Sequence, residues 1–210
     1  YVVEATKTEE TINDCEVYET KILDTITNVD ITAQTANRTS KVDINNTGTF
    51  TTRIDVENMD LTLKETVIPI TVQTEDEATS KTYYLRIIRQ EDNVSITSLS
   101  VNELLGHPDI VAVLEDPTDD SRYEVYLQNA VRTIEVNAQA SSSVALTRID
   151  ENTEEIQTTS ANITLSSSVT EVPIKVTSEA GTVKTYYLSI YTISDDTSIE
   201  TVTVNGVAAT

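Results

Sequence analysis

Four glycines and four prolines are spread over 210 residues, with one cysteine, one histidine, one phenylalanine and no tryptophan. The lone histidine, His107, would have to serve any nucleophilic relay or imidazole-built metal centre. It sits in Leu104-Leu-Gly-His-Pro108, which has no counterpart elsewhere in the chain, so it reads as a solvated loop residue. Glycine-rich phosphate loops and paired Cys/His zinc spacings are missing. Carboxylates are so abundant that their pairing selects no glycosidase dyad. No catalytic residue is assigned, and the chain is expected not to be an enzyme. No apolar run approaches the ~20 residues of a membrane-spanning helix. There is no initiator Met, leader or stop-transfer stretch, so a mature or excised segment is expected.

Bases are scarce as well. Thirty-five acids against 14 bases give a net charge of −21. Such a surface repels phosphate backbones and anionic lipid, which excludes nucleic acid and membrane insertion from the expected partners. High charge with only 38% apolar residues is also a composition of disorder. The regular alternation described next argues against that. Cys15, without a cysteine partner in this chain, is either a lone thiol or half of a bridge to a cysteine elsewhere.

What is present is a duplication. Lys81-Thr-Tyr-Tyr-Leu-Arg-Ile87 returns as Lys184-Thr-Tyr-Tyr-Leu-Ser-Ile190, 103 residues on (184 − 81). Tyr18-Glu-Thr-Lys-Ile matches Tyr123-Glu-Val-Tyr-Leu, and Val29-Asp-Ile-Thr-Ala-Gln34 matches Ile134-Glu-Val-Asn-Ala-Gln139, both at an offset of 105 (123 − 18). Internal repetition at this spacing sets the architecture before any motif does.

Each matched segment alternates. Tyr83, Leu85 and Ile87 share one face, and Thr82, Tyr84 and Arg86 the other; Tyr186, Leu188 and Ile190 stand against Thr185, Tyr187 and Ser189. Period two with Val, Ile, Thr and Tyr marks half-buried strands. Tyr84, Tyr187 and Tyr191 therefore point away from the core, as sheet-surface packing or as a contact surface. Ile68-Pro-Ile-Thr-Val72 and Val172-Pro-Ile-Lys-Val176 precede the repeated strand, with Pro69 and Pro173 in one register. A proline there marks a strand start, bulge or edge. With glycine scarce, turns fall to Asn, Asp, Ser and Thr. The class is all-β, with about seven strands per unit.

The boundary repeats too. Ile96-Thr-Ser-Leu-Ser-Val-Asn102 returns as Ile199-Glu-Thr-Val-Thr-Val-Asn205, each a leading strand. Val2-Val-Glu-Ala-Thr6 matches Ile110 to Leu114, so the first unit carries no leading strand of its own. The expected division is 1–92, 93–196, and 197–210 as the first strand of a further unit, with Ile199, Val202 and Val204 as an assembly strand.

At Leu99-Ser-Val-Asn102, at Tyr123, at Val136-Asn-Ala-Gln139 and at Val176-Thr-Ser-Glu-Ala-Gly-Thr-Val-Lys-Thr-Tyr-Tyr-Leu-Ser-Ile190 the chain resembles the cadherin-like β-sandwich repeat of large extracellular and cell-surface proteins. The resemblance implies two tandem immunoglobulin/cadherin-like sandwiches and a structural or adhesive role. Glu75-Asp-Glu-Ala-Thr79 departs from the glycine-containing turn of the pattern. The Asp-Arg-Glu and Asp-x-Asn-Asp-x-x-Pro calcium motifs of cadherins are absent, so calcium-dependent adhesion is not implied. No cofactor is expected. Acid clusters still offer weak calcium candidates at Glu91 and Asp92, at Asp116, Asp119 and Asp120, and at Asp195 and Asp196.

Asn37, Asn45, Asn93 and Asn162 open Asn-x-Ser/Thr sequons, the candidate glycosylation sites of an extracellular chain. The leading expectation is a structural block of an extracellular filament, sheath or stalk, partnered by neighbouring copies or adjacent repeats. The alternative is a module binding polysaccharide or a host protein through sandwich-end loops, above all Leu104 to Asp120.

Overall fold

The structure is a computed structural model. It describes residues 3–104, 108–128, 131–151, 156–194, 198, 203–204 and 207–208. Among these the regular elements are all strands. The chain divides into two compact units, Tyr1–Asp92 with Glu179–Gly181, and Asn93–Ser178 with Thr182–Thr210.

The first unit holds β1 (Thr6–Ile12), β2 (Cys15–Leu23), β3 (Asn28–Gln34), β4 (Lys41–Ile44), β5 (Arg53–Asp60), β6 (Glu65–Gln73) and β7 (Ser80–Gln90). One sheet runs β1-β2-β7-β6-β4, and β3 and β5 form the other. The inward members of each alternating strand meet between the two sheets: Ile22, Ile31, Ile44, Leu61, Ile68, Leu85 and Ile87.

The second unit holds β8 (Ile96–Asn102), β9 (Ile110–Val111), β10 (Val113–Asp116), β11 (Asp119–Gln128), β12 (Thr133–Ala140), β13 (Leu146–Ile149), β14 (Thr158–Thr164), β15 (Val169–Thr177) and β16 (Val183–Ile193). Its larger sheet, β10-β11-β16-β15-β13, repeats the first unit's strand for strand. The repeated Lys-Thr-Tyr-Tyr strands, β7 and β16, lie at the centre. Each pairs parallel with one neighbour, Tyr18 opposite Leu85 and Tyr123 opposite Leu188. The opposing sheet is β14-β12-β8-β9. The second unit thus has two strands, β8 and β9, beyond the seven of the first. Two short strands follow, β17 (Thr203–Val204) and β18 (Val207–Ala208), paired with each other.

Asparagine and aspartate carry the turns, as the glycine shortage requires. Ile12 and Cys15 face each other across Asn13 and Asp14, whose φ values of 50° and 62° suit the tight turn matched to strand twist. Asn45, Asn46 and Asp150 also have positive φ. The Asn45–Gly48 turn is held by the buried Asp43 carboxylate, which accepts from Thr47 Oγ1 at 2.5 Å and from Gly48 N at 3.0 Å.

Two expectations change. The ladder sets Lys7 opposite Tyr18 and Leu114 opposite Tyr123, so Lys7 corresponds to Leu114, one residue beyond the match of Thr6 with Leu114. Short apolar patterns align almost as well one step out, and backbone pairing decides. Pro69 and Pro173 are neither strand starts nor on edge strands. Each lies within a paired strand, and its carbonyl accepts from the first residue past β4 or β13, Asn45 N and Asp150 N, both at 2.8 Å. A strand residue's N and O point to the same side, so the ring nitrogen faces a side the short neighbour is already leaving. Each proline costs its sheet only the donor opposite Asn45 or Asp150, where the short neighbour ends.

Candidate functional site

The two units differ most at one edge. β12 is paired on both sides, by β14 and by β8. Its counterpart β3 is paired by β5 alone, and among the described residues no strand lies along its other edge. In the second unit Leu99 and Val101 of β8 are buried and stand opposite Ala138 and Val136. Among the described residues the first unit has no such pair.

Burial follows. Ile134, Val136 and Ala138 are sealed at 0–1% exposure. Their matches Val29, Ile31 and Ala33 are half-buried, 6% exposed and half-buried. The effect reaches the facing sheet, where Leu85 is 8% exposed and its counterpart Leu188 is sealed. Tyr186 is buried, its hydroxyl donating to Val94 O at 2.9 Å, just ahead of β8; Tyr83, at the same place in the repeat, is half-buried. An apolar slot beside an unpaired edge strand invites another strand.

A second shared feature surrounds the repeated lysines. Tyr18 meets Tyr83 edge-on at 6.1 Å, and Tyr123 meets Tyr186 at 6.3 Å. Lys81 and Lys184 lie over Tyr83 and Tyr186 at 4.6 and 4.7 Å, held by Glu16 at 2.9 Å and Asp120 at 2.7 Å. Lys81 and Lys7 together hold the Glu16 carboxyl below its ordinary value. Burial pushes the Tyr186 and Tyr123 phenols up. Of the outward tyrosines, Tyr191 stacks on Tyr126 at 5.0 Å and 16°, Tyr187 lies under Arg122 at 5.2 Å, and Tyr84 Oη accepts from Asn13 Nδ2 at 3.4 Å.

The acid candidates are spoken for locally. Asp116 Oδ1 accepts from Thr118 N and Oγ1, and Asp119 Oδ1 from Ser121 N and Oγ. Those hydrogen bonds hold both carboxyls below their ordinary values. Asp120 binds Lys184. Glu91 and Asp92 follow β7, and Asp195 and Asp196 lie outside the described residues. Among the described residues no three His, Cys, Asp or Glu side chains are grouped to hold a metal ion.

Of the sequons, Asn37 and Asn45 are in exposed turns, Asn162 is exposed on β14, and Asn93 precedes β8 with Oδ1 accepting from Ser95 N at 2.9 Å. Asn37 Oδ1 accepts from Thr39 N at 3.0 Å, which closes a local turn. Cys15 is a half-buried free thiol at the start of β2. Ile199 and Val202 lie outside the described residues, as does His107, and Val204 is in β17. The sequence match points to the edge of β3 that no described strand covers; the difference in burial along it is seen only when the two units are compared.

A family model described as cadherin-like beta sandwich domain matches residues 8–90 and again 96–193. No curated protein matches the chain. Among solved structures, the fibronectin(III)-like modules of Clostridium thermocellum CbhA align at 11% identity over 91% of this chain and 95% of that one, with a TM-score of 0.29. The Bacteroides ovatus mixed-linkage glucan utilization locus protein SGBP-B, in complex with a mixed-linkage heptasaccharide, aligns at 10% identity over 92% of this chain and 71% of that one, with a TM-score of 0.21. At scores this low neither likeness carries weight for function.

Proposed function

This chain belongs to the cadherin-like beta sandwich domain family, and from that premise we propose that it is a structural building block of an extracellular filament, sheath or cell-surface stalk. Its sandwiches act in series, and its partners are neighbouring copies of itself or adjacent repeats of one polypeptide. The role is mechanical and needs neither a cofactor nor catalysis. One observation carries the reading: among the described residues no strand lies along the second edge of β3, where the second unit places its own β8.

The energetics favour closing that edge from outside. A leading strand with the apolar residues Ile199, Val202 and Val204 would bury three side chains, roughly 1.5–3 kcal/mol each before ordering costs. Ladder hydrogen bonds add to this and relieve the aggregation hazard of an exposed edge. The charge of −21 keeps such an array soluble at high local concentration. That acidity and the exposed sequons at Asn37, Asn45 and Asn162 support a place outside the cell.

Electron microscopy and sedimentation of the intact 210-residue chain test the reading. Threads of units joined end to end, lengthening with concentration, are the expected result. Single particles of one chain's mass at every concentration would remove the self-assembling form of the proposal.

A further inference from the structure

The terminal hairpin has a twin. β8 and β9 pair with Val101 opposite Ile110 and Ser100 opposite Val111. β17 and β18 pair with Val204 opposite Val207 and Thr203 opposite Ala208. Under the sequence match of 199–205 with 96–102, Val204 is Val101 and Thr203 is Ser100. The ladder then makes Val207 the equivalent of Ile110 and Ala208 that of Val111. The two hairpins therefore share one register, with Asn205-Gly206 in place of the longer loop from Glu103 to Asp109.

From this we infer that the β17–β18 hairpin of one copy docks as a unit on the edge of β3 in another that no described strand covers, Val204 opposite Ile31 and Thr203 opposite Thr32. The inference rests on the assembly reading above and specifies its joint. The register comes from the second unit, where Val101 faces Val136 and Leu99 faces Ala138, the matches of Ile31 and Ala33. Docking turns the two-stranded β5-β3 sheet into the order β5-β3-β17-β18, which reproduces β14-β12-β8-β9.

The outer place is available. Lys7 corresponds to Leu114, so Val3 and Glu4 correspond to Ile110 and Val111, yet neither belongs to a strand and Val3 is 40% exposed. Val3-Glu-Ala-Thr6 and Val207-Ala-Ala-Thr210 fall at the same place in the repeated sequence. The donor's version is already paired to β17 and takes the position. Because the donor element and the acceptor slot are different surfaces, the joint does not close on itself as a symmetric dimer does; it propagates head to tail.

Disulfide trapping between two full-length populations tests the register, in a Cys15→Ser background. Thr32→Cys in one population should cross-link to Thr203→Cys in the other, as Asn137 faces Ser100. Gln34→Cys should cross-link to Thr201→Cys, as Gln139 faces Ser98. The crossed pairs, 32 with 201 and 34 with 203, should yield about tenfold less. Amide exchange of the unsubstituted chain gives a second readout: β3 should slow about tenfold or more as concentration rises. Crossed pairs reacting as well as matched ones would overturn the register. A doubly substituted chain that cross-links only within itself would overturn exchange between copies. Threads in micrographs without any cross-link and without β3 protection would overturn this joint while leaving the structural role standing. Single particles with neither signal would overturn this joint together with the self-assembling form of the structural role.

Discussion

The Tyr186 hydroxyl reaches the carbonyl of Val94 at 2.9 Å, tying β16 to the segment that enters β8. The bond is part-buried, and it links the repeated central strand to β8, which has no counterpart among the described residues of the first unit.

Tyr186→Phe removes that donor and leaves the Val94 carbonyl without it. The second unit should lose about 1 kcal/mol in urea unfolding. Tyr83→Phe should change the dilute chain less. Burial raises the Tyr186 pKa, so its folded value lies above the unfolded value of about 10. The stability tied to its neutral form is complete below about 10 and is lost as pH climbs through the folded value. Alkaline titration followed by phenolate absorbance should show late-titrating phenols, Tyr123 and Tyr126 among them, and Tyr186→Phe should remove one from that set.

Leu188 is sealed and Leu85 is not. Truncation of Leu188 to alanine should cost about 2–5 kcal/mol, and Leu85→Ala should fall at the low end of that range because its site is already partly wet. In denaturant the two units should unfold in two steps, the first unit earlier. Equal losses for both variants would contradict the open-slot account.

Pro69 has its nitrogen on the side where β4 ends, whereas Ile70 faces Tyr83 with its N–H turned towards β7. Pro69→Ala should therefore stay within about 1 kcal/mol of the parent in urea midpoint measurements. Ile70→Pro should cost about 3 kcal/mol or more, since it removes a ladder bond.

Copies carrying −21 repel as they join. Raising sodium chloride from about 0.1 M to about 1 M shortens the screening length from ~10 to ~3 Å. Assembly measured by light scattering should strengthen over that range. Weakening would mean that the joint depends on ion pairs rather than on apolar burial.

Calcium should leave the melting temperature within about 1 °C of its value in chelator, because bound ligand stabilises only by preferring the folded chain. Asp116 and Asp119 are capped by Thr118 and Ser121, and Asp120 is held by Lys184. A rise of several degrees would bring the acid clusters back as a cation site.

The duplicated Lys-Thr-Tyr-Tyr strand, the all-β class and the turn-forming Asn and Asp residues were legible in the sequence, because alternation and turn chemistry are local properties. The leading strand at Ile96 was legible for the same reason. Three things were decided by the tertiary structure. The side on which Pro69 and Pro173 present their nitrogens depends on where β4 and β13 stop, which no local pattern encodes. The step from Thr6 to Lys7 opposite Tyr18 is a property of the ladder. The difference between Ile31, 6% exposed, and the sealed Val136 arises because burial along β12 is conferred by β8, a strand distant from it in sequence.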